Sequence, residues 1–189
     1  SLSDYANDRV DLRLGVTVDS LDPARGEIHL ANGETIGFDR LILTTGAVPR
    51  RLDIPIEPGA RVHYLRTWAD ADALLEVAKS AKRAVVIGAS FIGLEVAASL
   101  RERDLKVTVV GMEERPLERV LGREIGDFVR RTHEAHGVVF RLGRKPVEVR
   151  AHSVVLDDGN VEEADVVIAG VGVMPDLSLV ERAGLAVDR

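Results

Sequence analysis

The chain has 189 residues, of which 46% are hydrophobic and 30% are charged, and its formal net charge is −6. This composition is typical of a globular protein, no apolar run is long enough to cross a membrane, and the mixed charges argue against nucleic acid as a partner. The chain contains no cysteine, which excludes disulfides, thiolate metal sites and cysteine nucleophiles within this span.

The chain up to Gly46 carries the patterns of β-structure. Apolar residues alternate from Leu12 to Val16, and Asn32-Gly33 is a strong signal for a hairpin turn. Leu41-Ile42-Leu43 predicts a short buried strand that ends before Gly46. Prolines follow from Pro49 to Pro58, and this segment is the expected domain boundary.

A helix is predicted to begin after this linker. Thr67 and Asp70 have the spacing of a capping box, which is typical of a helix start. The residues expected to face the core are Ala71, Leu74, Leu75 and Ala78.

The segment from Arg83 to Glu113 organises the rest of the chain. Ala84–Ile87 is an all-apolar run typical of a buried parallel strand, and it leads through Gly88–Gly93 into a helical pattern. Val107–Val110 predicts a second buried strand. Strand, glycine turn, helix and strand form a βαβ unit, in which backbone N–H groups at the helix start can bind a pyrophosphate.

The turn departs from the dinucleotide fingerprint G-x-G-x-x-G at one position, where Ser90 replaces the second glycine. That glycine normally lets the pyrophosphate approach closely. A serine still presents its N–H, and its hydroxyl offers a hydrogen bond to a phosphate, but the approach is more crowded. The alternative interpretation is a structural corner that binds nothing. We predict a dinucleotide site formed by Gly88, Ala89, Ser90, Phe91, Ile92 and Gly93.

The remainder of the chain continues to alternate between helix and strand. A second helix is expected to end near Gly137, with one face formed by Ile125, Phe128, Val129 and Thr132. Short apolar runs predict strands at Val138–Phe140, Val147–Val149, Val154–Leu156 and Val166–Ala169. Asp176 is expected to cap a short helix that runs to Ala183.

An internal repeat relates the two ends of the chain. The shift that places Leu30 on Leu156 also places Ile42 on Ile168. The same shift places Gly33, Asp39, Gly46 and Pro49 on Gly159, Asp165, Gly172 and Pro175. The second copy closes the unit that opens at Arg83, so the first copy is expected to close a similar unit whose opening precedes Ser1. We therefore expect the chain to be a fragment.

These segments resemble the pyridine-nucleotide–disulfide-oxidoreductase-like flavoproteins, which bind two dinucleotides. Phe38–Pro49 resembles the segment that ends their FAD domain, Gly88–Glu95 their NAD loop, and Ala164–Pro175 the segment that closes their NAD domain. Arg66–Ala71 and Arg115–Leu117 are most similar to the branch of ferredoxin, rubredoxin and Rieske-protein reductases, which includes apoptosis-inducing-factor-like members.

This resemblance implies an α/β fold in which residues 49–175 form a Rossmann-like NAD(H)-binding domain, with a parallel sheet, helices and a β-hairpin or meander. Residues 1–48 would be the end of a truncated FAD-binding domain, and residues 176–189 the start of the return to it. The full-length protein is implied to be an NAD(P)H-dependent oxidoreductase that passes electrons from NADH through FAD to an iron–sulfur or similar redox protein. The FAD-binding motifs of the family are not in this span, so we expect the chain alone to hold no FAD and to be inactive.

The same resemblance assigns roles beside the nicotinamide. Phe91 would shield the flavin face and Glu95 would orient the carboxamide; the alternative is a core aromatic and a solvated carboxylate. Gly170 and Gly172, at a strand end, would let the backbone approach the nicotinamide, unless they are only turn residues. No catalytic side chain is assigned.

Coenzyme choice is expected to depend on the loop after the second strand. An acidic residue at this strand end normally binds the adenosine ribose, but the position is occupied by Gly111. We predict that Met112 and Glu113 belong to the site, that Glu113 binds the ribose, and that NADH is preferred over NADPH. The alternative is Arg115, which could pair with a 2′-phosphate and reverse the preference.

Two other classes of function fit part of the pattern. A non-catalytic nucleotide-binding or sensing module would not need the half-repeat before Pro49, and a one-domain dehydrogenase lacks a recognisable Ser-Tyr-Lys or His-Asp set. The five histidines show no metal-ligand spacing, and His133 and His136 are expected to be solvated. No metal site is predicted. In the absence of a signal-peptide pattern, we expect a cytoplasmic protein.

Overall fold

The computed structural model describes residue 5 and residues 8–188. The chain forms two compact units, Val48–Met174 and the described residues on either side of it. The first strands are β1 (Val18–Asp22), β2 (Glu27–Leu30), β3 (Thr35–Gly37), β4 (Ala47–Pro49), β5 (Val62–His63), β6 (Arg83–Ile87) and β7 (Lys106–Gly111). They are followed by β8 (Val138–Leu142), β9 (Pro146–Arg150), β10 (Ser153–Leu156), β11 (Val161–Glu163), β12 (Val166–Ala169) and β13 (Val173–Pro175). The helices are α1 (Trp68–Ala78), α2 (Phe91–Arg101), α3 (Glu118–Ala135) and α4 (Ser178–Arg182).

Val48–Met174 is built on a parallel sheet whose five strands have the order β5-β12-β6-β7-β8. Helices α1, α2 and α3 connect β5 to β6, β6 to β7 and β7 to β8. A separate antiparallel sheet has the order β11-β10-β9. The unit is therefore the Rossmann-like α/β fold that the sequence predicted, with a β-meander inserted before the last parallel strand.

The parallel sheet is buried on both faces, which explains its continuous apolar runs. On one face Val86, Val109 and Ile168 pack with residues of α1 and α2, among them Leu74 and Leu94. On the other face Val85, Ile87, Val110 and Val167 pack against the antiparallel sheet through Val149, Val154 and Leu156. Successive side chains of a strand point to opposite faces of the sheet. Because both faces are covered, every position of a strand such as β12 is occupied by an apolar residue.

The predicted capping box of α1 is present. Thr67 Oγ1 accepts a hydrogen bond from Asp70 N at 3.2 Å, and Asp70 Oδ2 accepts one from Thr67 N at 2.7 Å. Leu74 is buried as expected, but Leu75 is 39% exposed. The two residues are neighbours on a helix and cannot both point at the same sheet.

Asp165 directly precedes β12, and its side chain is hydrogen-bonded to the start of β6. Its carboxylate accepts hydrogen bonds of 2.9 Å from the backbone N–H groups of Lys82 and Arg83 and from Arg83 Nη2. The Arg83 hydrogen bond and the two backbone N–H groups hold the pKa of Asp165 at about 2, although partial burial acts in the opposite direction. The guanidinium also pairs with Glu163.

We expect Asp165→Asn to lower the free energy of unfolding at neutral pH by about 1–2 kcal/mol. Because the pKa of Asp165 is lowered in the folded chain, its carboxylate stabilises the fold above the unfolded pKa of about 3.9, and this contribution is lost as the pH falls toward 2. Urea unfolding of both proteins at several pH values measures the difference. The difference should shrink with acid, and Asp157→Asn, a change at an exposed turn residue, should show little effect at any pH. A deficit that persists unchanged in acid would contradict the assignment.

The residues outside Val48–Met174 depart from the sequence expectations. An antiparallel sheet of order β1-β2-β3 contains the predicted Asn32-Gly33 turn, but Leu12–Val16 is not a strand. Leu41–Leu43 is not a strand either, and Ile42 is 88% exposed, whereas its repeat partner Ile168 is 0% exposed between two neighbouring strands. The prediction of a buried strand at Leu41–Leu43 is therefore wrong for this chain, because no strand among the described residues pairs with it.

Helix α3 begins earlier than expected, because the sequence predicts a loop that lasts until Gly122. The helix begins at Glu118, contains a break at Gly122 (φ 77°, ψ 179°), and ends before Gly137 as predicted. His133 is half-buried and meets the ring of Phe140 edge-on at 6.2 Å, so the prediction that it is solvated is wrong.

None of the helices in the described part of the chain is long and apolar enough to span a membrane. Over residue 5 and residues 8–188, no cluster of three or more histidine, cysteine, aspartate or glutamate side chains could hold a metal ion.

Candidate dinucleotide site

The glycine turn between β6 and α2 brings backbone atoms unusually close together. Gly88 has φ 111°, a conformation that favours glycine, and a Cβ at this position would lie 2.3 Å from Gly170 O. A Cβ on Gly93 would lie 2.1 Å from Gly88 O. The first and last glycines of the fingerprint are thus required by the packing of strand, turn and helix.

Ser90, at the position of the second glycine, is the N-cap of α2. Its hydroxyl accepts a hydrogen bond from Gly93 N at 3.2 Å and donates one to Gly170 O at 2.8 Å. A hydroxyl has one hydrogen to donate, so it is not available for a phosphate in this arrangement. The expected hydroxyl–phosphate bond is therefore not supported. The remaining N–H groups in the first turn of α2 have no intrahelical acceptor and are suited to an anion.

The carboxyl ends of the parallel strands surround a cavity of about 570 Å³, a volume within the range of ligand sites. This edge of an open α/β sheet is where such folds bind ligands. The predicted residues that line the cavity are Gly88, Ala89, Ser90, Phe91, Met112, Glu113, Gly170 and Gly172.

Three predicted residues do not line the cavity. Ile92 lies in the first turn of α2 and is 36% exposed, whereas Gly93 is buried against the turn. Glu95 is exposed one helical turn after Phe91. The expected contact of Glu95 with a carboxamide has no counterpart in this cavity, while Phe91 reaches it with a half-exposed ring.

Of the charged side chains that line the cavity, only Glu113 was identified from the sequence. The others are the cations Arg50, Arg51, Arg119, Arg144 and Lys145 and the carboxylates Asp53 and Glu118. Cations outnumber carboxylates in the cavity, which favours an anionic ligand. Arg144 and Lys145 could have been found, because they follow β8 after a single glycine and so lie at the carboxyl edge. Arg50 and Arg51 belong to the proline-rich segment, whose sequence carries no periodic signal.

The carboxylate nearest in sequence to the end of β7 belongs to the following loop, because the strand itself ends in Gly111. A Cβ on Gly111 would lie 3.1 Å from the Cβ of Ala89 and 3.3 Å from Leu142, so a larger residue at this position must displace its neighbours. Glu113 lines the cavity, and its Oε1 lies 3.3 Å from Arg119 Nε.

Arg115, the alternative partner for a 2′-phosphate, is directed elsewhere. Its Nε donates a 2.8 Å hydrogen bond to Asp127 Oδ1, and Nη1 lies 3.6 Å from Glu118 Oε1. It does not line the cavity. Arg119 is the cation nearest to Glu113 and the better candidate for contact with the adenosine half.

The chain resembles known proteins over nearly its whole length. The family described as pyridine nucleotide-disulphide oxidoreductase matches residues 1–189. The chain is 39% identical to the ferredoxin–NAD(+) reductase component of the anthranilate 1,2-dioxygenase system of Burkholderia cepacia, covering 97% of this chain and 46% of that protein. It is 40% identical to rhodocoxin reductase of Rhodococcus erythropolis, covering 97% and 44%.

The structural comparison gives the same result. The crystal structure of the ferredoxin reductase for the CYP199A2 system of Rhodopseudomonas palustris superposes with a TM-score of 0.89 at 34% identity, covering 100% of this chain and 48% of that one. The chain spans about half the length of the curated relatives that it matches. From its sequence and its fold, the chain belongs to the pyridine nucleotide-disulphide oxidoreductase family.

Proposed function

We propose that Val48–Met174 is the NAD(H)-binding domain of a flavin-dependent reductase, and that the residues on either side belong to its FAD-binding domain. The observation that carries the proposal is the turn from Gly88 to Gly93, where backbone packing leaves no room for a side chain at either glycine and whose first four residues line a cavity with an excess of cations.

The residues of the site would bind and orient the coenzyme. The N–H groups of α2 and the excess cations would hold the pyrophosphate, and Phe91 would cover one side of the nicotinamide. The Gly170 carbonyl accepts a hydrogen bond from Ser90, so the residue that replaces the fingerprint glycine links the turn to the residue after β12. When bound, NADH supplies a hydride and FAD converts an electron pair into single electrons.

For the whole protein we propose electron transfer from NADH through FAD to an iron–sulfur protein. The proposal is supported by the relatives, which are named as reductases of ferredoxin and of rhodocoxin. The cytoplasmic location predicted from the sequence stays a prediction.

We also propose that NADH is preferred over NADPH. Glu113 is the carboxylate of the loop after β7 that lines the cavity, and a carboxylate accepts hydrogen bonds from ribose hydroxyls but repels a phosphate. Its pair with Arg119 would orient it.

Titration of the chain with NADH, followed by the fluorescence of the coenzyme, tests the first proposal. We expect saturable binding at one site, weakened by added salt because the pyrophosphate is held partly by charge. Failure to saturate at millimolar NADH, with the fold intact by circular dichroism, would reject it. Electron transfer is tested on the full-length protein, whose flavin absorbance should fall when NADH is added without oxygen.

A further inference from the structure

Helix α3 exposes an apolar stripe that the nucleotide site does not use. Its inner face packs through Gly126, Val129 and the half-buried His133. Its outer face carries Ile125, which is 46% exposed, and Phe128, which is 59% exposed. Scattered apolar residues are ordinary on a surface, but these two are adjacent and Thr132 extends them by one turn.

The exposed residues of the stripe have the spacing that is typical of helices packed against each other. Ile125, Phe128 and Thr132 are separated by three and four residues, as at the a and d positions of a heptad repeat, and all three follow the break at Gly122. The hydroxyl of Thr132 donates to Phe128 O at 2.9 Å, which leaves its methyl group for apolar contact. Leu121 is 42% exposed, but it precedes the break at Gly122 and does not continue the stripe.

The charges beside the stripe favour an antiparallel orientation of two paired helices. Glu124 and Arg131 are exposed, lie seven residues apart on the same flank, and form no ion pair with any residue that the structure describes. In an antiparallel pair of identical helices, this flank meets the same flank of the other copy. Glu124 would then face the partner's Arg131, and Arg131 the partner's Glu124. A parallel pair would bring neither contact.

We propose that the outer face of α3 is the interface of a symmetric dimer in which two copies of this chain pair antiparallel. Ile125 of each copy contacts the partner's Phe128, so the same contact occurs twice about the two-fold axis. Three side chains from each copy bury less than the roughly 1,600 Å² of a standard interface, so the dimer is weak and reversible.

Sedimentation velocity of the 189-residue chain over a wide concentration range, at low salt, tests the proposal. We expect a monomer at low micromolar protein and a growing dimer fraction at high micromolar protein. Glu124→Arg should weaken the dimer by about tenfold, because both ion pairs become repulsive. The double variant Glu124→Arg/Arg131→Glu should restore it. A chain that stays monomeric throughout, or a double variant that remains as weak as the single one, would overturn the proposal.

Cross-linking tests the register separately, because the chain has no cysteine of its own. An equal mixture of the Ile125→Cys and Phe128→Cys variants should oxidise mainly to the mixed dimer. A statistical mixture, or a preference for either homodimer, would exclude the antiparallel pairing. Both positions are exposed, so circular dichroism should show that the variants fold normally.

Discussion

Gly93→Ala is expected to abolish measurable NADH binding, a loss of at least about 100-fold. The added methyl carbon would lie 2.1 Å from Gly88 O, so α2 must move away from the turn by more than about 1 Å to reach ordinary contact distance. That movement displaces the N–H groups at the start of α2. Titration with NADH measures the loss, and thermal unfolding shows whether the fold survives.

Gly37→Ala is the matched control, because it adds the same methyl group where the nearest atom is 4.0 Å away. It should leave NADH binding unchanged. If Gly93→Ala does not fold, Gly111→Ala serves as the second variant. Its added methyl carbon would lie 3.1 Å from the Cβ of Ala89, so the backbone needs a smaller shift than in Gly93→Ala. We expect a folded protein with binding weakened severalfold. A folded Gly93→Ala protein that binds NADH like the wild type would show that the turn is not the site.

Glu113→Ala is expected to weaken NADH binding by about tenfold, the value of one hydrogen bond to a charged group. NADPH binding should change little or improve, because the variant removes repulsion of the 2′-phosphate and frees Arg119 from its 3.3 Å pair. The gap between the two coenzymes should therefore narrow. Parallel titrations with NADH and NADPH measure both effects.

Glu114→Ala removes the neighbouring carboxylate, which does not line the cavity, and should alter neither affinity. Equal affinity of the wild type for NADH and NADPH would contradict the role of Glu113. A comparable loss in Glu114→Ala would indicate that the general negative charge of the loop is responsible, and not a bond to the ribose.

The parts of the fold that follow from local sequence patterns could be predicted well. The capping box at Thr67 and the helix end near Gly137 each depend on neighbours a few residues away. The buried strand at Ala84–Ile87 could be recognised because a strand covered on both faces is apolar at every position. The glycine turn could also be recognised, because the steric requirement at Gly93, whose Cβ would meet Gly88 O, is local.

The remaining features depend on contacts between distant residues. Leu41–Leu43 has the apolar pattern of a strand, but it forms none here because a strand also needs a hydrogen-bonded neighbour. The sequence could not show that the Ser90 hydroxyl is engaged by Gly170, which is 80 residues away. Nor could it show that Arg115 turns toward Asp127 and leaves the cavity to Arg119.

The position of β12 has a consequence for synthesis on the ribosome. The strands β6, β7 and β8 are neighbours in the sheet and can pair as they emerge from the ribosome. Strand β12 lies between β5 and β6, and it is the last of the five strands to be synthesised. Until then both strands keep an open edge in the nascent chain. Gly170, which completes the turn at Gly88, follows β12 directly. The coenzyme can therefore stabilise only the finished unit, and the growing chain must reach this stage without it.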